Sequence, residues 1–126
     1  MPRKRTSGLT DAELRLMDVL WRIGSGTVAD VSAALPKDVT LAYSSVLTTL
    51  RILETKGYLR HRKEGRAFTY EPVVGREQAR AHAITHLLGR FFENSPGQLV
   101  LNLIEGRKIG AKELKRLRAL IEEAEK

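Results

Sequence analysis

Short hydroxyl side chains, a tyrosine and an arginine recur on one face of the segment between residues 41 and 56. Its apolar residues Val46, Leu50 and Leu53 have helical spacing, and Gly57 follows as a typical left-handed helix end. The polar side chains on the other face are of types that bond phosphates and base edges and that contact thymine methyl groups. We therefore predict a helix that reads double-stranded DNA through Tyr43, Ser44, Ser45, Thr48 and Arg51.

Basic residues continue into two short runs, 58–63 and 67–71, which alternate like β-strands around a turn containing Gly65. Between residues 51 and 66 there are six basic side chains and two acidic ones. Cations in such a hairpin neutralise DNA phosphates and position a protein without reading sequence. The hairpin contacts that we expect are Arg60, Arg62, Lys63 and Arg66, with His61 exposed or close to the DNA.

The composition agrees with a nucleic-acid partner. The 126 residues carry a net charge of +7 and include no cysteine, and the isoelectric point is about 10.1. A basic excess on a small chain points first to nucleic acid and second to an anionic membrane surface. No apolar run approaches the ~20 residues that span a bilayer, and no signal-peptide pattern is visible. We expect a cytoplasmic protein with no membrane insertion and no thiol chemistry.

Enzymatic and metal-binding patterns are weak in this chain. His82 and His86 lie four residues apart on a predicted helix, a spacing that can hold a metal ion. The residues between them are Ala-Ile-Thr, so the glutamate of the HExxH motif is missing, and no cysteine offers a further ligand. No Ser/His/Asp arrangement, glycine-rich phosphate loop or pair of carboxylates stands out. We expect no enzyme activity, no cofactor and no metal site, with a metal-responsive regulator as an alternative interpretation.

The DNA-reading helix needs other elements to hold it in place. Thr10 and Glu13 form a capping-box pattern at the start of a first helix, and Thr27 caps a short second helix. Three helices followed by a β-hairpin are the order of a winged helix-turn-helix domain. We assign this domain to residues 9–74, after a basic arm at residues 1–8. Its predicted core consists of Leu14, Met17, Trp21, Val46, Leu50, Leu53 and Phe68.

Residues 75–126 predict three further helices, one of which begins at Ser95-Pro96. Residues 99–104 are apolar nearly all round apart from Asn102, whose amide we expect to bond across an interface or to lie at its rim. A unit this short buries only ~60% of its surface when it folds alone. The predicted fold class is therefore mainly α with a small β-hairpin wing, followed by an all-helical domain that forms a homodimer. The dimer contacts that we expect are Leu87, Leu88, Phe91, Leu99, Leu101, Leu103, Ile104, Leu114, Leu117 and Ile121.

Five stretches of the chain resemble a known family. They are Leu9–Glu13 with Met17, Leu20 and Trp21 in the first helix, Leu41–Leu50 in the third, Leu53 with Lys56–Leu59 after it, Ala67–Pro72 in the hairpin and Leu99–Leu103 in the fifth helix. Over residues 9–122 the chain resembles the penicillinase and methicillin-resistance repressors (BlaI/MecI type). The resemblance implies a sequence-specific transcriptional repressor that occupies a dyad operator of double-stranded DNA as a homodimer. A module that binds nucleic acid without sequence choice, or that serves protein interactions, is the alternative from another class.

The resemblance also implies a mode of control. In the penicillinase branch of the family a membrane-bound sensor metalloprotease system responds to β-lactam, and the repressor is cut between Asn and Phe inside its fifth helix. The matching bond here is Asn102–Leu103, which keeps the Asn and replaces the Phe. A copper-responsive branch carries a C-terminal cysteine cluster that this chain lacks. The resemblance therefore implies derepression by proteolysis in the C-terminal domain under β-lactam or cell-wall stress.

Overall fold

The computed structural model describes residues 8–126, so the predicted basic arm at residues 1–8 lies outside the described part of the chain except for Gly8. Six helices and one two-stranded antiparallel hairpin follow one another over this range. They are α1 (Asp11–Ile23), α2 (Val28–Ala34), α3 (Tyr43–Thr55), β1 (Leu59–Glu64), β2 (Ala67–Pro72), α4 (Arg76–Phe91), α5 (Pro96–Glu105) and α6 (Ala111–Ala124). This order confirms the predicted fold class of a mainly α protein with a hairpin wing after its third helix. None of these helices combines the length and the apolar character needed to cross a bilayer.

The chain divides into two compact units within α4. The first unit runs through His86, and the second unit runs from Leu87 to Lys126. Ala79 of α4 is only 7% exposed and belongs to the core of the first unit, which therefore extends beyond residue 74. The roles predicted for the two domains stay predictions at this point.

Local hydrogen bonds explain where several helices begin. Thr10 Oγ1 accepts from the backbone N–H of Glu13 at 3.1 Å, and a Glu13 oxygen accepts from the N–H of Thr10 at 2.8 Å. Thr27 and Asp30 form the same reciprocal box at the start of α2, with distances of 3.1 and 3.0 Å. Ser95 caps α5, as predicted. Each cap satisfies amide donors that have no partner inside the helix, which sets the starting residue.

The core of the first unit lies between α1, α2, α3 and the hairpin. Two residues predicted for this core lie at the surface instead, since Leu14 is 42% exposed and Phe68 is 43% exposed. Two apolar stripes on α1 satisfy helical spacing, and the stripe that packs inward contains Leu16 and Val19 rather than Leu14. Phe68 shares a strand face with the buried Tyr70 but lies closer to the tip of the hairpin. The fully buried large side chains are Leu16, Met17, Val19, Leu20, Val31, Val46, Leu50, Leu53, Tyr58, Tyr70 and Val74.

The hairpin is joined to the helices by its second strand. Tyr70 donates its backbone N–H to the carbonyl of Gly26 at 2.8 Å, and the N–H of Gly26 donates to the carbonyl of Tyr70 at 3.0 Å. At the other end Glu64 pairs with Ala67 across a two-residue turn, in which Gly65 has a φ of 62°. A positive φ at this position of a tight hairpin turn favours glycine. The hairpin, called the wing below (Leu59–Pro72), is therefore anchored beside the start of α2.

A partly buried ion pair joins the start of α1 to the end of α3. Lys56 Nζ donates to Glu13 Oε1 at 2.7 Å and to the carbonyl of Gly8 at 3.1 Å. Burial by itself raises the pKa of the Glu13 carboxyl, but hydrogen bonds from Lys56 and Thr10 outweigh it and hold this pKa below its usual value of 4.5. The pair fixes the two ends of the helices that frame the core.

The second unit contrasts with the first because neither α5 nor α6 has a buried residue. Phe91 is 68% exposed, Leu101 is 57% exposed and Ile121 is 55% exposed. The other predicted dimer contacts are exposed or half-buried. An apolar surface of this extent on a small unit is typical of a face that another protein surface covers.

Candidate nucleic-acid interface

The five residues predicted to read DNA all lie on the exposed side of α3. Tyr43 at the first position of the helix is 62% exposed. Ser44, Ser45, Thr48 and Arg51 are exposed as well. Val46, Leu50 and Leu53 of the same helix are completely buried, so the polar face is held outward by the core. This is the arrangement in which a helix presents side chains to base edges in a major groove.

The start of α3 differs from the starts of α1 and α2. Ala42 occupies the N-cap position, and no side chain accepts a hydrogen bond from the first turn. The first amide groups of a helix carry a partial positive charge and bind anions such as phosphate. The uncapped start thus adds backbone donors next to Tyr43 and Ser44.

The wing cations fall into two groups. Arg60 and Arg62 both pair with Glu71, at 2.7 and 3.7 Å. Within residues 8–126, no carboxylate lies within ion-pair distance of Lys63 or Arg66. Because a paired guanidinium must give up a partner to bind phosphate, Lys63 and Arg66 are the more available cations.

A cleft of about 320 Å³ separates α3 and the start of α2 from the tip of the wing. Arg51 of α3 and Arg66 of the wing turn both line it, and Tyr43 and Phe68 contribute aromatic walls. Guanidinium groups beside aromatic rings bind nucleic-acid backbones and stack on bases. Phe68, which we expected in the core, is therefore a candidate contact, and its position near the turn is the signal that would have placed it outside.

The buried Tyr70 connects the helix to the wing. Burial raises the pKa of the Tyr70 hydroxyl, and the negative charge of Glu54 raises it further. Arg51 acts in the opposite direction on this pKa through its charge and a hydrogen bond. Arg51 therefore bonds to the Tyr70 hydroxyl on one side and lines the open cleft on the other.

A further contact between wing and helix was not foreseen from the sequence. The Nδ1 atom of His61 lies 2.7 and 2.8 Å from the two carboxylate oxygens of Glu54. The His61 ring lies 4.6 Å from the ring of Phe68 and 5.7 Å from that of Tyr70, measured between centroids. His61 is exposed, as expected, but its position against α3 depends on packing that residue spacing does not encode.

The two helix histidines do not gather further ligands. Among residues 8–126 no group of three or more His, Cys, Asp or Glu side chains is placed to hold a metal ion. His86 lines a cavity of about 430 Å³ in the first unit, together with Leu14, Trp21 and Arg76. The Trp21 Nε1–H donates to the carbonyl of Val74 at 2.8 Å, and the Arg76 guanidinium lies 5.3 Å from the Trp21 ring centroid. These contacts join α1 to α4 through packing.

The bond that the resemblance marks for cleavage, Asn102–Leu103, lies inside α5. The carbonyl of Asn102 accepts from the N–H of Gly106 at 3.0 Å, and that of Leu103 accepts from the N–H of Lys108 at 3.0 Å. The side chain of Asn102 is exposed, whereas that of Leu103 is half-buried. The bond is therefore held in helical backbone, and a protease would need that helix to open locally.

Comparison with known proteins places the chain in a family. Residues 9–123 match the family described as penicillinase repressor. The chain is 32% identical over 123 residues to the penicillinase repressor of Bacillus licheniformis, a match that covers 95% of this chain and 94% of the relative. It is 34% identical over 119 residues to the transcriptional regulator BlaI of Mycobacterium tuberculosis, covering 93% of this chain and 85% of the relative.

Solved structures agree with these matches. The solution structure of the DNA-binding domain of the repressor BlaI is similar with a TM-score of 0.53 and 36% identity, over 60% of this chain and 93% of that chain. The Bacillus licheniformis BlaI monomeric form, solved in complex with the blaP half-operator, matches with a TM-score of 0.50, 36% identity and the same two coverages. The exposed helix, the basic wing and these matches lead to one conclusion: the chain belongs to the penicillinase repressor family.

Proposed function

We propose that this protein is a DNA-binding transcriptional repressor that acts as a homodimer on a dyad operator. The observation that carries the proposal is the polar outer face of α3, exposed beside an uncapped helix start and the basic wing. A relative that is 36% identical over 60% of this chain has been solved with a half-operator. In this chain α3 enters the major groove, while the wing contacts the backbone or the minor groove.

The homodimer is supported by the second unit. Its helices α5 and α6 have no buried residue, although Leu101, Ile104 and Leu114 are large apolar side chains. A second copy of the same surface is the economical cover, because most soluble oligomers are symmetric dimers with a self-complementary interface. A two-fold dimer also presents two copies of α3, so we expect it to bind an operator with two half-sites.

In vitro selection from random duplexes with the full chain tests the sequence choice. We expect enrichment of a dyad sequence that binds at least ~10³-fold more tightly than its shuffled control at one fixed salt concentration. Enrichment of a single half-site would contradict the dyad operator. Equal binding of all duplexes would favour the alternative, a nucleic-acid-binding module without sequence choice.

We propose further that proteolysis controls the repressor by cutting Asn102–Leu103 in response to β-lactam or cell-wall stress. The support is the position of this bond in α5, where its loss separates apolar residues that the dimer buries. A membrane-bound sensor metalloprotease is the partner that the family resemblance implies. Local opening toward the loop at residues 106–110 would expose the bond, since a folded helix is a poor protease substrate.

Mass spectrometry of the protein from stressed cells tests this control. Treatment of the host with a cell-wall antibiotic should produce fragments that end at Asn102, together with derepression of the regulated genes. The substitution Asn102→Ala should slow both, whereas Gln98→Ala, at an exposed position of the same helix, should change neither. Derepression with an intact chain would overturn proteolytic control and leave the DNA-binding proposal untouched.

A further inference from the structure

Side chains hold the wing against α3 at two points, the Arg51–Tyr70 hydrogen bond and a contact between His61 and Glu54. The Nδ1 atom of His61 lies 2.8 Å from Oε1 and 2.7 Å from Oε2 of the Glu54 carboxylate. A carboxylate only accepts hydrogen bonds, so Nδ1 must carry the hydrogen and donate. The two side chains are partly exposed, at 38% for His61 and 31% for Glu54, so the pair contributes little to stability through charge alone.

The pair lies at the level where the wing is bonded to the segment before α2. Tyr70, the cross-strand partner of His61, is fixed at this level by its backbone bonds to Gly26 and by its burial. Beyond this level the hairpin consists of two strands, and such hairpins are marginally stable unless they pack against another element. Within the described chain, His61–Glu54 is the hydrogen-bonded side-chain pair between β1 and α3.

The position of the tip matters because two predicted DNA contacts lie on opposite sides of one cleft. Arg51 belongs to α3 and Arg66 to the wing turn, and both line the cleft of about 320 Å³. A change in the angle between wing and helix alters the separation of the two guanidinium groups. Two phosphates or base edges at fixed positions on a duplex are then no longer reached together.

We propose that His61 and Glu54 are positioning residues that set the angle between the wing and α3, and thereby the separation of Arg51 and Arg66. This inference rests on the proposed DNA-binding function. It gives His61 a role in positioning the wing, in addition to the exposure that its place in the chain predicted. Neither His61 nor Glu54 needs to touch DNA for its loss to weaken binding.

Two substitutions of His61 separate the hydrogen bond from the ring contacts. His61→Phe keeps a ring beside Phe68 and Tyr70 but removes the donor. His61→Asn removes the ring but retains an N–H at the position of Nδ1, because the amide nitrogen is bonded to the same γ carbon. Glu54→Leu removes the acceptor and completes a double-mutant cycle with His61→Phe.

The full chain is tested on the duplex that it selects from a random library. We expect His61→Phe and Glu54→Leu each to weaken binding about three- to tenfold, the double variant to be no weaker than either, and His61→Asn to bind like the parent. The control pair Glu77→Ala and Arg80→Ala removes an exposed ion pair in α4 (3.2 Å) and should leave affinity unchanged. Additive losses in the cycle, or equal losses for His61→Asn and His61→Phe, would overturn the inference.

A spectroscopic measurement on the free protein gives an independent readout. The chain contains no cysteine, so single cysteines at Ala33 and Lys63 can carry a pair of spin labels, diluted with unlabelled protein to suppress distances between subunits. We expect a narrow distance distribution for the parent and a broader one for His61→Phe. An unchanged distribution would contradict the positioning role. Failure of the random library to yield any preferred duplex would instead contradict the proposed function.

Discussion

The two compact units of this chain differ in how far their apolar side chains are buried. Every buried apolar side chain among residues 8–126 lies in the first unit, from Leu16 to Ala79. In the second unit the helices carry similar side chains, yet Leu101 and Ile121 are more than half exposed. The first unit surrounds its core with three helices and a hairpin. In the second unit α5 and α6 bury no residue, so their apolar side chains remain in contact with solvent.

The two units differ in whether their apolar side chains are covered within one chain. The first unit completes its core within one chain, so we expect it to fold without a partner. The second leaves large apolar side chains exposed, so we expect its stability to depend on association. Under the proposed function, DNA reading is a property of the single subunit, and occupation of a dyad operator is a property of the pair.

The largest effect should come from removing the second unit. A chain that ends at His86 keeps the whole first core, so we expect a folded monomer. Its affinity for the dyad operator should fall by about 10²–10⁴-fold, because the second half-site no longer benefits from tethering. Circular dichroism, sedimentation and binding to full and half operators measure these outcomes. A fragment that sediments as a dimer would contradict the assignment of dimerisation to the second unit.

A shorter fragment sharpens the position of the boundary. Ending the chain at Val74 removes Ala79 from the core and Arg76 from the face of Trp21. We expect this fragment to unfold at a lower urea concentration than the one ending at His86, because exposure of Trp21 and loss of Ala79 remove packed apolar area. Equal midpoints would show that the start of α4 adds nothing to the first unit.

A single charge in the apolar face of α5 should have the next largest effect. Leu101→Glu alters both copies of a two-fold interface, so the loss of burying two leucines is about 3–6 kcal/mol of dimer free energy. Analytical ultracentrifugation should show dissociation, while binding to an isolated half-site is retained. Gln98→Glu introduces the same charge at a polar position of α5 and serves as the control. A dimer that survives Leu101→Glu would place the interface elsewhere.

Within the first unit, helix and wing substitutions should differ in kind. Thr48→Ala should weaken binding to the selected duplex by about 1–3 kcal/mol and leave binding to shuffled DNA unchanged, because a base contact acts only on the matching sequence. Lys63→Ala and Arg66→Ala should weaken binding to both the selected and the shuffled duplex. The slope of log affinity against log salt concentration should become shallower by about 0.9 for each phosphate that is no longer neutralised. Arg60→Ala should change this slope less, because Glu71 already neutralises the Arg60 side chain. Equal slopes for the two groups would remove the distinction between paired and unpaired cations.

The smallest expected effect is a pH dependence of stability from the Glu13–Lys56 pair. The pKa of Glu13 is lowered in the folded protein, because the hydrogen bonds from Lys56 and Thr10 outweigh the raising effect of burial. The folded state therefore binds the proton less readily than the unfolded state, and the stabilisation is present above about pH 4.5. It is lost as the pH falls through the lowered pKa of the folded state.

Urea unfolding at several pH values measures this contribution. In Glu13→Gln the free energy of unfolding should fall less steeply between about pH 5 and pH 3 than in the parent, and it should already be lower at about pH 7. Glu122→Gln in α6 removes an exposed carboxylate and should reproduce the slope of the parent. Parallel curves for Glu13→Gln and the parent would show that the pair does not titrate with folding.

Much of this fold could be predicted from local patterns. Helical spacing in α3, the capping box of Thr10 and Glu13, and the glycine turn of the wing depend on residues a few positions apart, and each was confirmed. The exposure of the residues predicted to read DNA followed for the same reason, since the opposite face of α3 is apolar. The predicted DNA and dimer contacts themselves stay predictions.

Packing between the elements selects which of several equivalent local patterns is used. Leu14 and Leu16 both satisfy the spacing of an inward stripe, and only the packing of neighbouring elements against α1 selects Leu16. The register of the wing likewise places Phe68 in the open cleft and His61 against Glu54. The elements and their chemical character could therefore be predicted from the sequence, because they depend on short-range hydrogen bonds and periodicity. Packing determined their partners, because contacts between distant segments depend on how the elements meet in space.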